Sequence, residues 1–525
     1  MTAFRPALAG LCLLAASVTA SAGARPAAIA LADRIGWGGG PPVADPARYL
    51  QEQLHPSNDD GLPPAIQAEI DAMPISQLRL SEIAADVGMA RQAVQQQRRM
   101  AANATTQGQD QPQRNPAQMQ YRQTLTDYAR QAATRALLRD IYSKNQLREQ
   151  LVWFWFNHFN VSQRKGVIAA MVGDYEEHAI RPHVLGKFRD LLMATAFHPA
   201  MLQYLDNQQN AVGHINENFA REIMELHTMG VGSGYSQKDV QELARILTGV
   251  GANFGAQARP LLAARALRAG EDGIAFAPAR HDTGDKHFLG QTIRGSGVEE
   301  AITALTMLSR QPATARHVSR ELAEFFCCDA PPERLVTAMA ATFQKTDGDI
   351  TAVLTTLFNA PEFTASLATE GKFKDPVHYA VSAVRAAYGE TPVQTLTPVI
   401  NWLARMGEPL YGHETPDGYA MSADAWNGPG GMETRFEIAT VAGAGRPSLL
   451  LPDTTPQGRG GRGAVPTEAA LARQPQTPPP DLKDTPYAQA LLASMAPATR
   501  DALARANNPA DWNMLFLSSP EFMYR

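Results

Sequence analysis

Apolar residues recur at helical spacing through most of the chain. They are densest from 121 to 388, where short Gly and Pro breaks separate one pattern from the next. Pro312, Pro331-Pro332, Pro361 and Pro376 each fall where one apolar run stops and another begins, a place Pro tolerates because a first helical turn has amide hydrogens to spare. Ser236 followed three residues on by Asp239 is a capping pattern, and it opens onto Val240, Leu243, Ala244 and Leu247 on one helical face. One stretch breaks the period: Ile274-Ala275-Phe276 and Phe288-Leu289-Gly290-Gln291-Thr292-Ile293 read as a small hairpin around a polar loop. The pattern predicts a mainly α, multi-helical globular domain with at most a small β-hairpin.

Composition sets the boundaries. Residues 25–46, 101–118 and 452–486 lack the apolar content to fold alone and read as linkers, the last rich in Pro, Gly and Arg. They divide the chain into a helical N-terminal arm at 47–100, a main helical domain at 119–451 and a C-terminal helical segment at 487–525. Residues 357–363, Leu-Phe-Asn-Ala-Pro-Glu-Phe, return at 516–522 as Phe-Leu-Ser-Ser-Pro-Glu-Phe, a helix stopping before another starts at Pro. Two copies are too few for a solenoid, and the second implies that the C-terminal segment docks on the main domain.

Residues 1–24 carry Arg5, an apolar stretch from Ala7 to Ala16 and small-x-small sites such as Ala20-Ser21-Ala22, the order of a secretory signal peptide. The expectation is a periplasmic or secreted protein with no transmembrane anchor after cleavage, because spanning takes roughly 20 apolar residues. Cys12 follows Leu11, not a small residue, which argues against a lipid anchor. The two remaining cysteines, Cys327 and Cys328, are adjacent. A relaxed disulfide prefers Cα atoms about 5.5 Å apart and a trans peptide holds neighbours at about 3.8 Å, so they read as packing residues. With no Cys-x-x-Cys pair the sequence predicts no metal site and no cofactor site, leaving the cofactor question open. A formal net charge of -5, with both signs interspersed, gives no footprint for nucleic acid.

Chemistry has three candidate locations. The run Gln146 to Phe159 ends in Trp-Phe-Trp-Phe-Asn-His-Phe, apolar all round a helical wheel, so Asn157 and His158 must find buried partners. From Ile215 to Met229, a helix gathers Ile215, Phe219, Ala220, Ile223 and Leu226 on one side and Glu217, Asn218, Arg221, Glu222 and Glu225 on the other. His227 falls on the apolar side, which disfavours a metal site built from this helix alone. The third is Tyr175 to His183 with Arg181, together with Asp206-Asn207, His281-Asp282, Lys286 and His287. The chain contains no His-Glu-x-x-His, Gly-x-Ser-x-Gly, phosphate loop or dinucleotide fingerprint.

Taken together, Phe154-Trp155-Phe156-Asn157-His158-Phe159, Ile180-Arg181-Pro182-His183, Leu205-Asp206-Asn207, Asn216-Glu217-Asn218 through Gly230-Val231, and Ala244-Arg245 with Leu247-Thr248-Gly249 resemble the domain-of-unknown-function 1800 family of large exported bacterial proteins. The motifs span about 121 to 435, and Val250 stands where the family usually has Trp. The resemblance implies an envelope or secreted protein and a sulfatase-like exported partner, and it supplies no reaction. Two readings follow. One is a hydrolase acting on a polymer or glycan in a polar helical cleft, with Glu222, Glu225, Arg221, His158, Asn157, Arg181 and His227 as candidate catalytic residues. The other is a non-catalytic scaffold or maturation partner of another exported protein, in which the same groups hold helices in register.

Overall fold

Proline opens one helix after another along this chain, because its fixed φ and missing N–H suit a first turn. The computed structural model describes residues 25–105, 115–252, 274–369, 371–445, 449–450 and 478–525. The N-terminal part holds α1 (Ala27–Ile35), α2 (Pro46–Leu54), α3 (Pro64–Ala72), α4 (Pro74–Gln77) and α5 (Leu80–Thr105). The body continues through α6 (Pro116–Tyr142), α7 (Gln146–His158), α8 (Val172–Asp174), α9 (Phe188–Ala196), α10 (Pro199–Tyr204), α11 (Asn218–Glu225) and α12 (Gln237–Ile246). After the strands come α13 (Val298–Ser309), α14 (Pro312–Phe326), α15 (Glu333–Lys345), α16 (Ile350–Phe358), α17 (Pro361–Thr369), α18 (Pro376–Tyr388), α19 (Thr397–Arg405) and α20 (Pro429–Gly443). The chain closes with α21 (Pro486–Leu492), α22 (Pro497–Ala504) and α23 (Pro509–Leu517). The fold is mainly α, as the periodicity predicts. Ser236 and Asp239 form the expected capping box at the start of α12.

One continuous core runs from Ile29 in α1 to Met523, and α7 lies at its centre with Leu147, Leu151, Phe154, Trp155 and Phe156 all buried. Such a helix is hydrophobic all round because neighbours cover every side of it.

Three expectations are corrected. Residues 25–46 are no linker: α1 buries Ile29, Leu31 and Ile35, and Arg34 within it is buried too. Too little apolar surface to fold alone is no bar to folding against a neighbour, and Arg34 ties the segment down by donating to the main-chain oxygens of Phe326 (3.3 Å) and Cys327 (2.7 Å). The single hairpin is two separate antiparallel pairs. β1 (Val250–Ala252) pairs with β2 (Ile274–Phe276), and β3 (Lys286–Phe288) pairs with β4 (Gln291–Ile293). Leu289 and Gly290 both take positive φ, the geometry of a two-residue turn that closes β3 on β4 locally and leaves β2 to pair with β1. Finally, α11 begins at Asn218 rather than Ile215, because the Asn216 carboxamide accepts from the Asn218 amide (3.0 Å) and holds a turn ahead of the helix. Ile215 is left exposed.

The C-terminal segment docks on the body: α23 packs on α20, and residues 523–525 run beside 372–374 through Lys372 N to Arg525 O (3.0 Å), Arg525 N to Lys372 O (2.8 Å) and Lys374 N to Met523 O (2.9 Å). The expected signal peptide and most of the 452–486 stretch lie outside the described residues, as do 106–114 of the expected polar linker. Among the described residues no helix is long and apolar enough to cross a membrane.

Candidate functional site

At the end of α7 the chain must satisfy two polar side chains at the edge of an aromatic core. Asn157 does so through the backbone of Tyr419: its Nδ2 donates to the Tyr419 carbonyl (2.8 Å) and its Oδ1 accepts from the Tyr419 amide (2.7 Å). Asn160 fastens the same loop by donating to the carbonyl of Thr415 (2.7 Å). His158 Nδ1 meets Glu321 Oε2 at 2.6 Å, and its Nε2 faces the His227 carbonyl oxygen at 3.1 Å. Glu321, from α14, also lies 3.6 Å from His317. Burial works to raise the Glu321 carboxyl, but the His158 and His317 rings overcome it and hold it below the usual carboxylate range. His227 is buried as the helical wheel predicts, with its Nε2 unbonded among the described residues. Burial, with a smaller push from His158, holds its imidazole well below its ordinary value and so neutral.

Arg181 belongs to a different cluster, two to three turns back along α7. Its Nη1 donates to both carboxylate oxygens of Glu149, at 3.0 and 2.9 Å, with Glu176 and Glu177 each 3.7 Å away. Glu176 and Glu177 lie on a π-helical turn, Tyr175–Ile180. Tyr411 Oη donates to Glu176 (2.6 Å), and Arg135 and Arg139 face Glu177. Burial raises the Glu176 carboxyl despite Arg181, whereas Arg181, Arg139 and Arg135 overcome burial at Glu177 and hold it well down. The guanidinium and carboxylate groups neutralise one another inside the protein.

The polar side of α11 is a third, half-exposed group. Arg221 bonds Glu217 (3.0 Å), Glu225 (3.4 Å) and, across on α12, Gln237 (3.0 Å). Glu222 is half-buried; partial burial, then Glu225 and Asp417, push its carboxyl above the usual range. The structure thus splits the candidates: His158 and His227 come together, Asn157 turns to a loop, Arg181 is locked in the interior, and Arg221 pairs with its own helix. The remaining collection serves the strands, where Arg245 clasps Asp282 (2.8 and 3.1 Å) and Glu300 takes Lys286 (2.5 Å) and His281 (3.0 Å) in full burial.

Sequence reasoning missed Glu321, Glu149 and Asp417. Glu149 carried a weak signal, since it lies one turn before the all-apolar half of α7; the structure buries it and supplies Arg181 as its cation. An open cleft of about 480 Å³ lies between Met229, Ser233 and Asp239 on one side and Leu289 and Gln311 on the other, and none of the candidate residues lines it. Among the described residues no group of three or more His, Cys, Asp or Glu is arranged to hold a metal ion.

A family model described as "Protein of unknown function (DUF1800)" matches residues 16–524, well beyond the stretch that carries the motifs. No curated protein and no solved structure matches the chain.

Proposed function

The chain belongs to the DUF1800 family, whose description assigns no reaction, and on that premise we propose that it works as an exported, non-catalytic scaffold that holds another exported protein. The observation that carries this reading is that Arg181, Arg221 and His158 are each held by partners within the protein. Arg181 is consumed by Glu149, Arg221 by Glu217 and Glu225 and by Gln237 on α12, and His158 by Glu321 and the His227 carbonyl, so these three side chains brace the elements they join. A general acid or base needs a group left free to reach a substrate proton.

The outer parts of α5 and α6 supply a surface for such a partner. Met89, Met100 and Met119 are exposed on these two helices, as are Arg91, Arg98, Arg99 and Arg122, and no described residue between Asp86 and Asp127 is acidic. Met and Arg are favoured at protein interfaces, where Asp, Glu and Lys are depleted.

One observation favours the rival hydrolase reading: Glu222 has a raised carboxyl near Glu225 and Asp417, the environment of a proton donor. Co-expression with a sulfatase-like exported protein separates the two. On the scaffold reading, that partner's soluble yield falls when Met89, Met100 and Met119 are all changed to Ser and is unchanged by Glu222→Gln. A folded Glu222→Gln protein that loses its effect on the partner, beside a fully effective triple-Ser protein, overturns the scaffold in favour of the hydrolase.

A further inference from the structure

The C-terminus of α14 places two thiols side by side. The helix stops at Phe326, Cys327 follows with φ -102 and ψ -71, and the two sulfurs lie 3.2 Å apart with the Cys328 S–H directed at Cys327. Neither is in a disulfide. Cys327 is buried and Cys328 is half-buried, so Cys328 is the more accessible of the two. The Arg34 guanidinium sits beside them, 2.7 Å from the Cys327 carbonyl oxygen and 3.1 Å from Ser366 Oγ.

From this geometry we infer that Cys327 and Cys328 form a reversible two-electron redox pair that closes to a vicinal disulfide by exchange with an external disulfide. The Cys328 thiolate attacks one sulfur of the external disulfide, forming a mixed disulfide and releasing one thiolate. Cys327 Sγ then attacks the Cys328 sulfur, forming the Cys327–Cys328 bond and releasing the second thiolate. Each released thiolate takes up the proton its cysteine gave away, so the chain loses two electrons and the external disulfide becomes two thiols. The attacking species is the thiolate. In the free pair, hydrogen bonding from Cys328, then from Ser366, with Arg34 nearby, brings the Cys327 thiol down to about 7. The Ser366 and Arg34 contributions remain to favour the Cys327 thiolate in the second attack, once Cys328 has lost its proton.

Adjacency makes the bond labile. Neighbouring Cα atoms are closer than a relaxed disulfide prefers, and strained disulfides are the readily reduced, regulatory ones. The strain has an outlet, because Arg34 also donates from Nε to the Arg525 carbonyl oxygen (3.2 Å), so movement of the Cys327 carbonyl reaches the docked C-terminus. This inference is independent of the scaffold reading.

The test uses the full chain treated with oxidised glutathione at mildly alkaline pH, quenched in acid and cut with trypsin, reading the 321–334 peptide by mass. The expected product is lighter by two hydrogen atoms, carries no glutathione and regains its mass in dithiothreitol. Cys327→Ser is expected to trap glutathione on Cys328, and Cys328→Ser to react about tenfold more slowly. A wild-type peptide that keeps glutathione overturns the inference. So does one that stays unmodified although both thiols alkylate after denaturation, or a Cys327→Ser chain that traps no adduct.

Discussion

Arg181 holds both oxygens of the Glu149 carboxylate with one guanidinium nitrogen, and both side chains are almost wholly out of water. A buried ion pair draws little net stability from its own attraction, because two desolvation costs offset it. Removing one partner is a different matter, since the other charge stays buried. Arg181→Met leaves Glu149 only the more distant Arg148 guanidinium (3.9 Å) and Glu176 one cation short, so we expect a loss of about 3–5 kcal/mol in urea unfolding. A loss under 1 kcal/mol counts against a structural role for the pair.

The loop that carries Tyr419 depends on Asn157. Gly418 adopts φ +70, and a Cβ there would meet the Asn157 carbonyl oxygen at 2.3 Å, so loop and helix end touch backbone to backbone. Asn157→Ala removes two hydrogen bonds from a partly buried junction, with an expected cost of about 1–3 kcal/mol and faster amide exchange at Tyr419. Gly418→Ala is expected to be at least as damaging, through strain and clash together. If Tyr419 keeps its protection in both variants, the latch is not where the geometry puts it.

Histidine burial sets a pH dependence. His227 is held well below its ordinary value by burial and then by His158, and His378 is lowered to about 4 by burial and then by Arg525. Below about pH 6.5 the unfolded chain protonates both while the folded chain leaves them neutral, so the unfolded state binds more protons. Stability therefore falls as the pH drops below that value, by about 1.4 kcal/mol per pH unit for each proton. His227→Gln is expected to flatten the slope by one proton's worth, measured by denaturant unfolding from neutral to mildly acidic pH. An unchanged slope removes His227 from the account.

Lys374 is fully buried, with its Nζ 3.0 Å from Ser382 Oγ and 3.7 Å from the centre of the Phe522 ring. Burial, aided by Arg25, pushes its value well below the ordinary one. The unfolded chain binds a proton that the folded chain resists, so this group opposes folding and does so less as pH rises toward the free lysine value of about 10.4. Lys374→Met is expected to raise the melting temperature, with a gain that shrinks at alkaline pH. A melting temperature that falls, or a gain that grows with pH, contradicts the burial argument.

Periodicity, proline placement and capping were enough to establish a mainly helical protein, the buried character of α7 and the Ser236–Asp239 box, because each depends on residues a few positions apart. The inward face of α11 was legible for the same reason, although its first turn was not, since Asn216 spends its side chain on a local turn. What the polar residues do was decided elsewhere. Arg181 meets Glu149 from 32 residues away and His158 meets Glu321 from 163, and no local pattern carries that information. Only the packed structure brings those groups into one low-dielectric interior, where an unpaired charge costs far more than in water and each must end beside its opposite.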